Sequence, residues 1–136
     1  MPSAAAALGL ALAGGLAGCG LGVQSADLFM LTRTGQGSRL ALLVSDGGAV
    51  RCNGARGKRL SDTMLIRARD LSDNLAQDAA RQLSLPGPPD TVFSYRVRLQ
   101  QGTISFADRR ATGRQELVQT ELFAAQAAQQ ACGLSG

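Results

Sequence analysis

The chain has 136 residues and a formal charge of +4, with 14 basic against 10 acidic side chains, a size that fits one small domain with a modest core. It holds four phenylalanines, one tyrosine and no tryptophan, so the core must come from Leu, Val, Ile and Ala. It also has no histidine, which excludes His-based Ser or Cys triads, a His general base and His-containing metal sites.

Residues 1–18 (MPSAAAALGLALAGGLAG) carry no charged side chain. The run has the length of a signal peptide and is too short and Gly-rich for a membrane-spanning helix, which needs about 20 apolar residues. It ends in Leu16-Ala17-Gly18-Cys19, followed by Gly20. This resembles the lipobox of bacterial lipoproteins, in which a Leu and two small residues precede a Cys. The small residues let a peptidase hold the extended backbone closely, and the Cys supplies the thiolate that accepts a diacylglycerol. The resemblance implies that Cys19 is lipidated and becomes the first residue of the mature protein. It also implies a lipid-anchored protein of the cell membrane, facing the extracytoplasmic side. No Lys or Arg precedes the apolar run, so the free amino terminus, or a start upstream of Met1, supplies the usual positive charge. A plain cleaved signal and an apolar N-terminal helix are the competing readings. The resemblance covers only the first twenty residues.

Residues 19–25 read as a Gly/Ser tether, and 26–136 as a single α+β domain. Residues 27–34 (DLFMLTRT), 39–45 (RLALLVS) and 49–53 (AVRCN) read as three strands, joined by turns at 35–38 and at Asp46-Gly47-Gly48. Residues 54–58 read as a polar loop. Ser61 or Asp62 can cap a helix over 63–83, where Met64, Ala68, Leu71, Leu75, Ala79 and Leu83 form one apolar stripe. Arg67, Asp70, Asp73, Asp78 and Arg81 take its other faces. Residues 85–89 (LPGPP) end that helix.

Residues 91–100 (TVFSYRVRLQ) alternate cleanly. Phe93, Tyr95, Val97 and Leu99 share one face, and Arg96 and Arg98 the other. Gln101-Gly102 turns the chain into a partner strand over 103–106. A last helix is expected over 115–132, with Leu117, Thr120, Ala124, Ala127 and Ala131 along its stripe, widened by Val118, Leu122 and Ala125, and with Gly133 as its C-cap. The expected fold is α+β: a largely antiparallel five-stranded sheet, order β-β-β-α-β-β-α, with both helices on one face.

With Cys19 lipidated, Cys52 and Cys132 are the remaining thiols, and in an oxidising exterior they are expected to pair. No CxxC redox motif or close metal-ligand spacing exists, so no cofactor and no enzyme activity are expected. Asp46-Gly47-Gly48 lacks the alternating oxygen ligands of a calcium loop. Residues 35–37 lack the strand-to-helix setting of a phosphate loop, and Tyr95 reads as a core residue with its hydroxyl at an edge.

Arg33, Arg51, Arg96 and Arg98 fall on strands. On one face they would form a patch for an anionic envelope component or an acidic protein. Nucleic acid is not expected, because aromatic side chains to stack on bases are too few. The leading expectation is a lipid-anchored extracytoplasmic binding or accessory domain. The alternative is a secreted or tethered protease inhibitor. Inhibitors of the subtilisin-inhibitor family are similar in size and element mix, and residues 85–90 would then be the inhibitory loop. This chain lacks the second disulfide pair that braces such a loop.

Overall fold

The computed structural model describes residues 26–134; the expected leader, Cys19, the expected tether and residues 135–136 lie outside them. The fold has two layers, a twisted sheet and a pair of helices on one of its faces. At the centre of the sheet lies β1 (Asp27–Gly35), flanked by β2 (Ser38–Ser45) and β6 (Ser94–Leu99). Strand alternation decides which side chains enter the core. Leu31 of β1 stands opposite Leu42 on one side and Val97 on the other, and Val97 stands opposite Ile104 of β7 (Gly102–Ala107). All four are fully buried. The row above it holds Phe29 and Val44, also buried.

The sheet has seven strands rather than five: with β3 (Val50–Cys52), β4 (Ala55–Arg56) and β5 (Ser84–Leu85) the order is β4-β3-β2-β1-β6-β7-β5, and it is mixed rather than wholly antiparallel. The two additional strands are two residues each. Within the expected polar loop, β4 (Ala55–Arg56) pairs back on β3 (Val50–Cys52). The link is Asn53-Gly54, with both residues at positive φ, as a tight two-residue hairpin requires. In the expected end of the first helix and its stop signal, β5 (Ser84–Leu85) runs parallel to β7 and covers its free edge.

Helix α1 (Asp62–Ala80) starts where Ser61 accepts a hydrogen bond from the Met64 amide, 3.3 Å away. Its buried stripe is Met64, Ala68, Leu71, Leu75 and Ala79, as expected from their spacing. The helix ends three residues before Leu83. Gln82 takes a left-handed φ of 55°, its amide donates to the Ala79 carbonyl, and the Leu83 amide donates to that of Asp78. This paired capping satisfies the orphan carbonyls, and Leu83 still packs on the core from outside the helix. The turn between β6 and β7 fits beneath this end. A Cβ on Gly102 would lie 2.1 Å from the Ala79 carbonyl oxygen, so only glycine is accommodated there.

Helix α2 (Gln115–Gln130) buries Leu117, Thr120, Phe123, Ala124, Ala127 and Ala128. The stripe is widened by Phe123 and Ala128, whereas Val118 and Leu122, expected to widen it, are exposed. Phe123 reaches under the helix to meet Phe29 edge-on, with ring centroids 5.5 Å apart. The buried Thr120 hydroxyl donates to the Glu116 carbonyl at 2.8 Å, which satisfies it within its own helix. Gly133 takes the expected left-handed conformation after the helix.

Cys52 and Cys132 form a disulfide, with Cα atoms 5.8 Å apart. It ties an outer strand of the sheet to the end of α2. Gly57 packs so closely on this junction that a Cβ would meet the Cys52 sulfur at 2.8 Å and the Ala131 carbonyl oxygen at 2.9 Å. The bridge spans 80 residues of sequence. Closing a loop of that length stabilises the native state by about 4–5 kcal/mol on a chain-entropy account. The Cys52→Ala/Cys132→Ala variant is therefore expected to unfold at a much lower urea midpoint than the oxidised protein, with free energies differing by about 4 kcal/mol. Alkylation of both thiols in the folded protein without reductant would contradict the pairing.

Candidate anion-binding sheet face

The helices cover one face of the sheet and leave the other open. Pairing fixes which side chains share that open face, because directly opposed residues point the same way. One row runs Arg56, Arg51, Leu43, Met30, Arg98 and Thr103. The next runs Ala41, Thr32, Arg96 and Ser105, and a third Arg39, Thr34, Ser94 and Ala107. These three rows contain five arginines and no aspartate or glutamate. All five arginines are exposed, and the apolar residues between them, Leu43, Met30 and Ala41, are partly exposed.

The structure brings Arg51, Arg96 and Arg98 together on this face and adds Arg39 and Arg56. Arg33 does not join them. It pairs with Tyr95, so it lies on the helix side, and its guanidinium sits over the Phe93 ring at 4.7 Å from the centroid. Of the five open-face arginines only Arg51 has a hydrogen-bond partner among the described residues, the Gly54 carbonyl at 3.4 Å. Neither of the two described ion pairs involves this face: Arg69 holds Asp46 at 2.9 Å, and Arg109 holds Asp90 at 2.9 Å.

The charge is segregated across the two layers. Helices α1 and α2 carry six acidic residues and two basic ones, Arg67 and Arg69. The formal charge within α1 and α2 is therefore −4, against +5 on the three open rows, while Arg81 and Arg114 stand at the caps of the two helices.

On the helix side of the sheet, a second polar group gathers at the end of β6 and β7. Asp108, just past β7, accepts from the Phe93 and Arg109 amides at 3.1 and 2.8 Å. Tyr95 is buried and stacks on Phe106, with centroids 5.0 Å apart and planes at 11°. Burial, together with the nearby Glu121 charge, pushes the Tyr95 hydroxyl up to about 12, against the opposing pull of Arg33. Burial and the Asp108 charge likewise raise the Glu121 carboxyl, one oxygen of which is enclosed without a hydrogen-bond partner. Both shifts follow from desolvation first.

Other features lie away from this face. A groove of about 430 Å3 runs between the outer faces of α1 and α2, with Leu71 and Phe123 at its base and Arg67, Asp70, Asn74 and Gln126 around it. The 85–90 segment does not protrude as a free loop. Leu85 is paired to β7, Gly87 packs on Ala107, and the Thr91 hydroxyl donates to the Pro88 carbonyl at 2.6 Å. Asp46 in the Asp46-Gly47-Gly48 turn is held by Arg69. Among the described residues no cluster of three or more His, Cys, Asp or Glu could hold a metal ion, and no helix is long and apolar enough to cross a membrane.

Arg39 and Arg56 join the face although neither is among the candidates that the sequence pattern singles out. Arg39 was legible, since it alternates with Leu40, Leu42 and Val44 and must face away from them. Arg56 follows from the Asn53-Gly54 hairpin signal. Comparison of the chain with protein-family models, with curated proteins and with solved structures finds no match.

Tyr95 is the only tyrosine and there is no tryptophan, so an ultraviolet titration reads this one phenol. The folded value, about 12, lies above the ordinary 10.0. The stabilising contribution is thus fully present below about pH 10 and is lost as pH rises through the folded value. Phenolate absorbance is expected to appear near pH 12 in the folded protein, and near pH 10 in denaturant. A folded-state midpoint at 10 would contradict the burial of Tyr95.

Proposed function

We propose that this protein is a lipid-anchored domain of the bacterial cell envelope that binds an anionic envelope component through the open face of its sheet. The observation that carries the reading is the set of five exposed arginines in three acid-free rows, opposite two helices with six acidic and two basic residues. Exposed guanidinium groups are suited to phosphate and carboxylate partners, and their planar forks favour paired hydrogen bonds. Segregated charge also orients a molecule as it approaches an anionic target.

Two further features support the location. The sequence ending in Cys19 resembles a lipobox, which implies a diacylglycerol anchor. The Cys52–Cys132 disulfide fits a protein that folds outside the reducing cytoplasm. The domain itself contributes recognition: the helices fill the core, and among the described residues the arginine-bearing part of the sheet face is left uncovered, with only Ala107 at its corner covered by Gly87.

Cys19→Ala is expected to lose metabolic lipid labelling and to stop maturation at this site. Unchanged labelling of that variant would overturn the anchor. Arg96→Glu with Arg98→Glu is expected to leave the fold nearly intact, because exposed charges contribute little to stability. It is expected to weaken retention on an immobilised polyanion at low salt, an interaction that fades as salt rises. Equal retention of the folded double variant would remove this face as the binding surface.

A further inference from the structure

We infer that the anionic component is the acidic phospholipid surface of the membrane that carries the anchor, with the open sheet face lying on the headgroups and the helical layer turned away. This deepens the proposed function and rests on it, both for the cationic face and for Cys19 as the anchor.

Three observations select a bilayer. First, the arginines form two groups, Arg51 with Arg56 and Arg96 with Arg98, rather than one converging cluster. Arg51 and Arg98 share a row with Leu43 and Met30 between them, so about 14 Å separates their backbones at the usual strand spacing. Two groups at that separation suit an array of separate anions. Second, the surface is a broad sheet face whose three arginine-bearing rows hold no acidic side chain, the nearest being Asp27 opposite Ser45 at the start of β1, and the partly exposed Met30 and Leu43 lie between the two arginine groups. Apolar residues ringed by long cationic side chains suit the boundary between headgroup and acyl chain.

Third, the anchor is close to the face. Seven residues separate Cys19 from Asp27, the first residue of β1. Fully extended, that chain reaches about 25 Å. β1 is the central strand of the sheet, so the domain is held over the leaflet from the middle of the sheet's end. A surface held this near acts at a high effective concentration, even where each contact is weak. The six acidic side chains of α1 and α2 are repelled by the same headgroups, which favours the sheet face over the helices.

The test uses the mature chain, residues 19–136, with Cys19→Ser to remove the lipid. Residues 26–134 close one core on themselves, and the Tyr95 titration verifies the fold of every variant. This protein is expected to sediment with vesicles of phosphatidylglycerol and phosphatidylcholine, and not with vesicles of phosphatidylcholine alone. Arg96→Glu with Arg98→Glu is expected to lower partitioning roughly tenfold or more, since each basic residue near an acidic surface counts several-fold. Arg67→Glu with Arg81→Glu changes the net charge equally but away from the sheet face, and is expected to have a much smaller effect.

Equal losses in the two double variants would overturn the inference, leaving only net charge at work. Failure to bind the acidic vesicles, with retention on a soluble polyanion such as polyphosphate, would also overturn it while leaving the proposed function standing. Failure on both probes would remove the anionic face itself.

Discussion

Everything about this surface depends on the buried row formed by Leu42, Leu31, Val97 and Ile104. Side chains alternate along a strand, so fixing these four toward the helices fixes their neighbours toward the open side. A slip of one residue in β1 against its neighbours would turn Leu31 outward and its own face over. A slip in β6 would carry Arg96 and Arg98 into an apolar core, where an unpaired charge is far too costly. The hydrophobic row therefore sets the register, and the register displays the arginines. The short connections reinforce it: Gln36-Gly37 and Asn53-Gly54 adopt positive φ in both residues, which fits two-residue hairpins in a fixed register.

Segregated charge has a cost for the isolated domain. Arg51 and Arg56 stand directly opposite each other across β3 and β4, and like charges in that position repel. No acidic residue in the three rows relieves them. On the helical side, Glu121 is held above its ordinary carboxylate range by burial and by Asp108. Where a sequence departs from local charge balance without internal compensation, the compensation is sought outside the molecule. An anionic surface supplies it for the sheet face. The disulfide allows a small core poor in aromatics to carry these repulsions, because it ties the Arg51 strand to the end of α2.

The periodic parts of this fold were legible in the sequence, and the short or irregular parts were not. Met64, Ala68, Leu71, Leu75 and Ala79 announce a helix because five residues repeat at one spacing. The same stripe extends to Leu83, but Gln82 accepts a left-handed conformation and ends the helix earlier, a local choice that periodicity does not carry. Strands of two residues have no alternation to read, so β5 emerges only from its parallel pairing with β7. In β1 both sets of alternating residues begin apolar, Phe29 and Leu31 against Leu28 and Met30, so Arg33 could not be assigned a side without its partner Tyr95. For β6 the alternation of Tyr95, Val97 and Leu99 with Arg96 and Arg98 left no such ambiguity. The candidate face was thus half legible: its β6 arginines from pattern, its extent and its opposition to an acidic layer only from the sheet order.

The most direct test of the account is arginine-selective labelling with phenylglyoxal of the lipidated protein in its own membrane, compared with the same protein in neutral detergent. Mass spectrometry then reads each arginine. Arg39, Arg51, Arg56, Arg96 and Arg98 are predicted to be protected on the membrane and modified in detergent, while Arg67 and Arg81 are modified in both. Equal modification of the open-face arginines in the two settings would contradict the claim that this face is where the protein meets its partner.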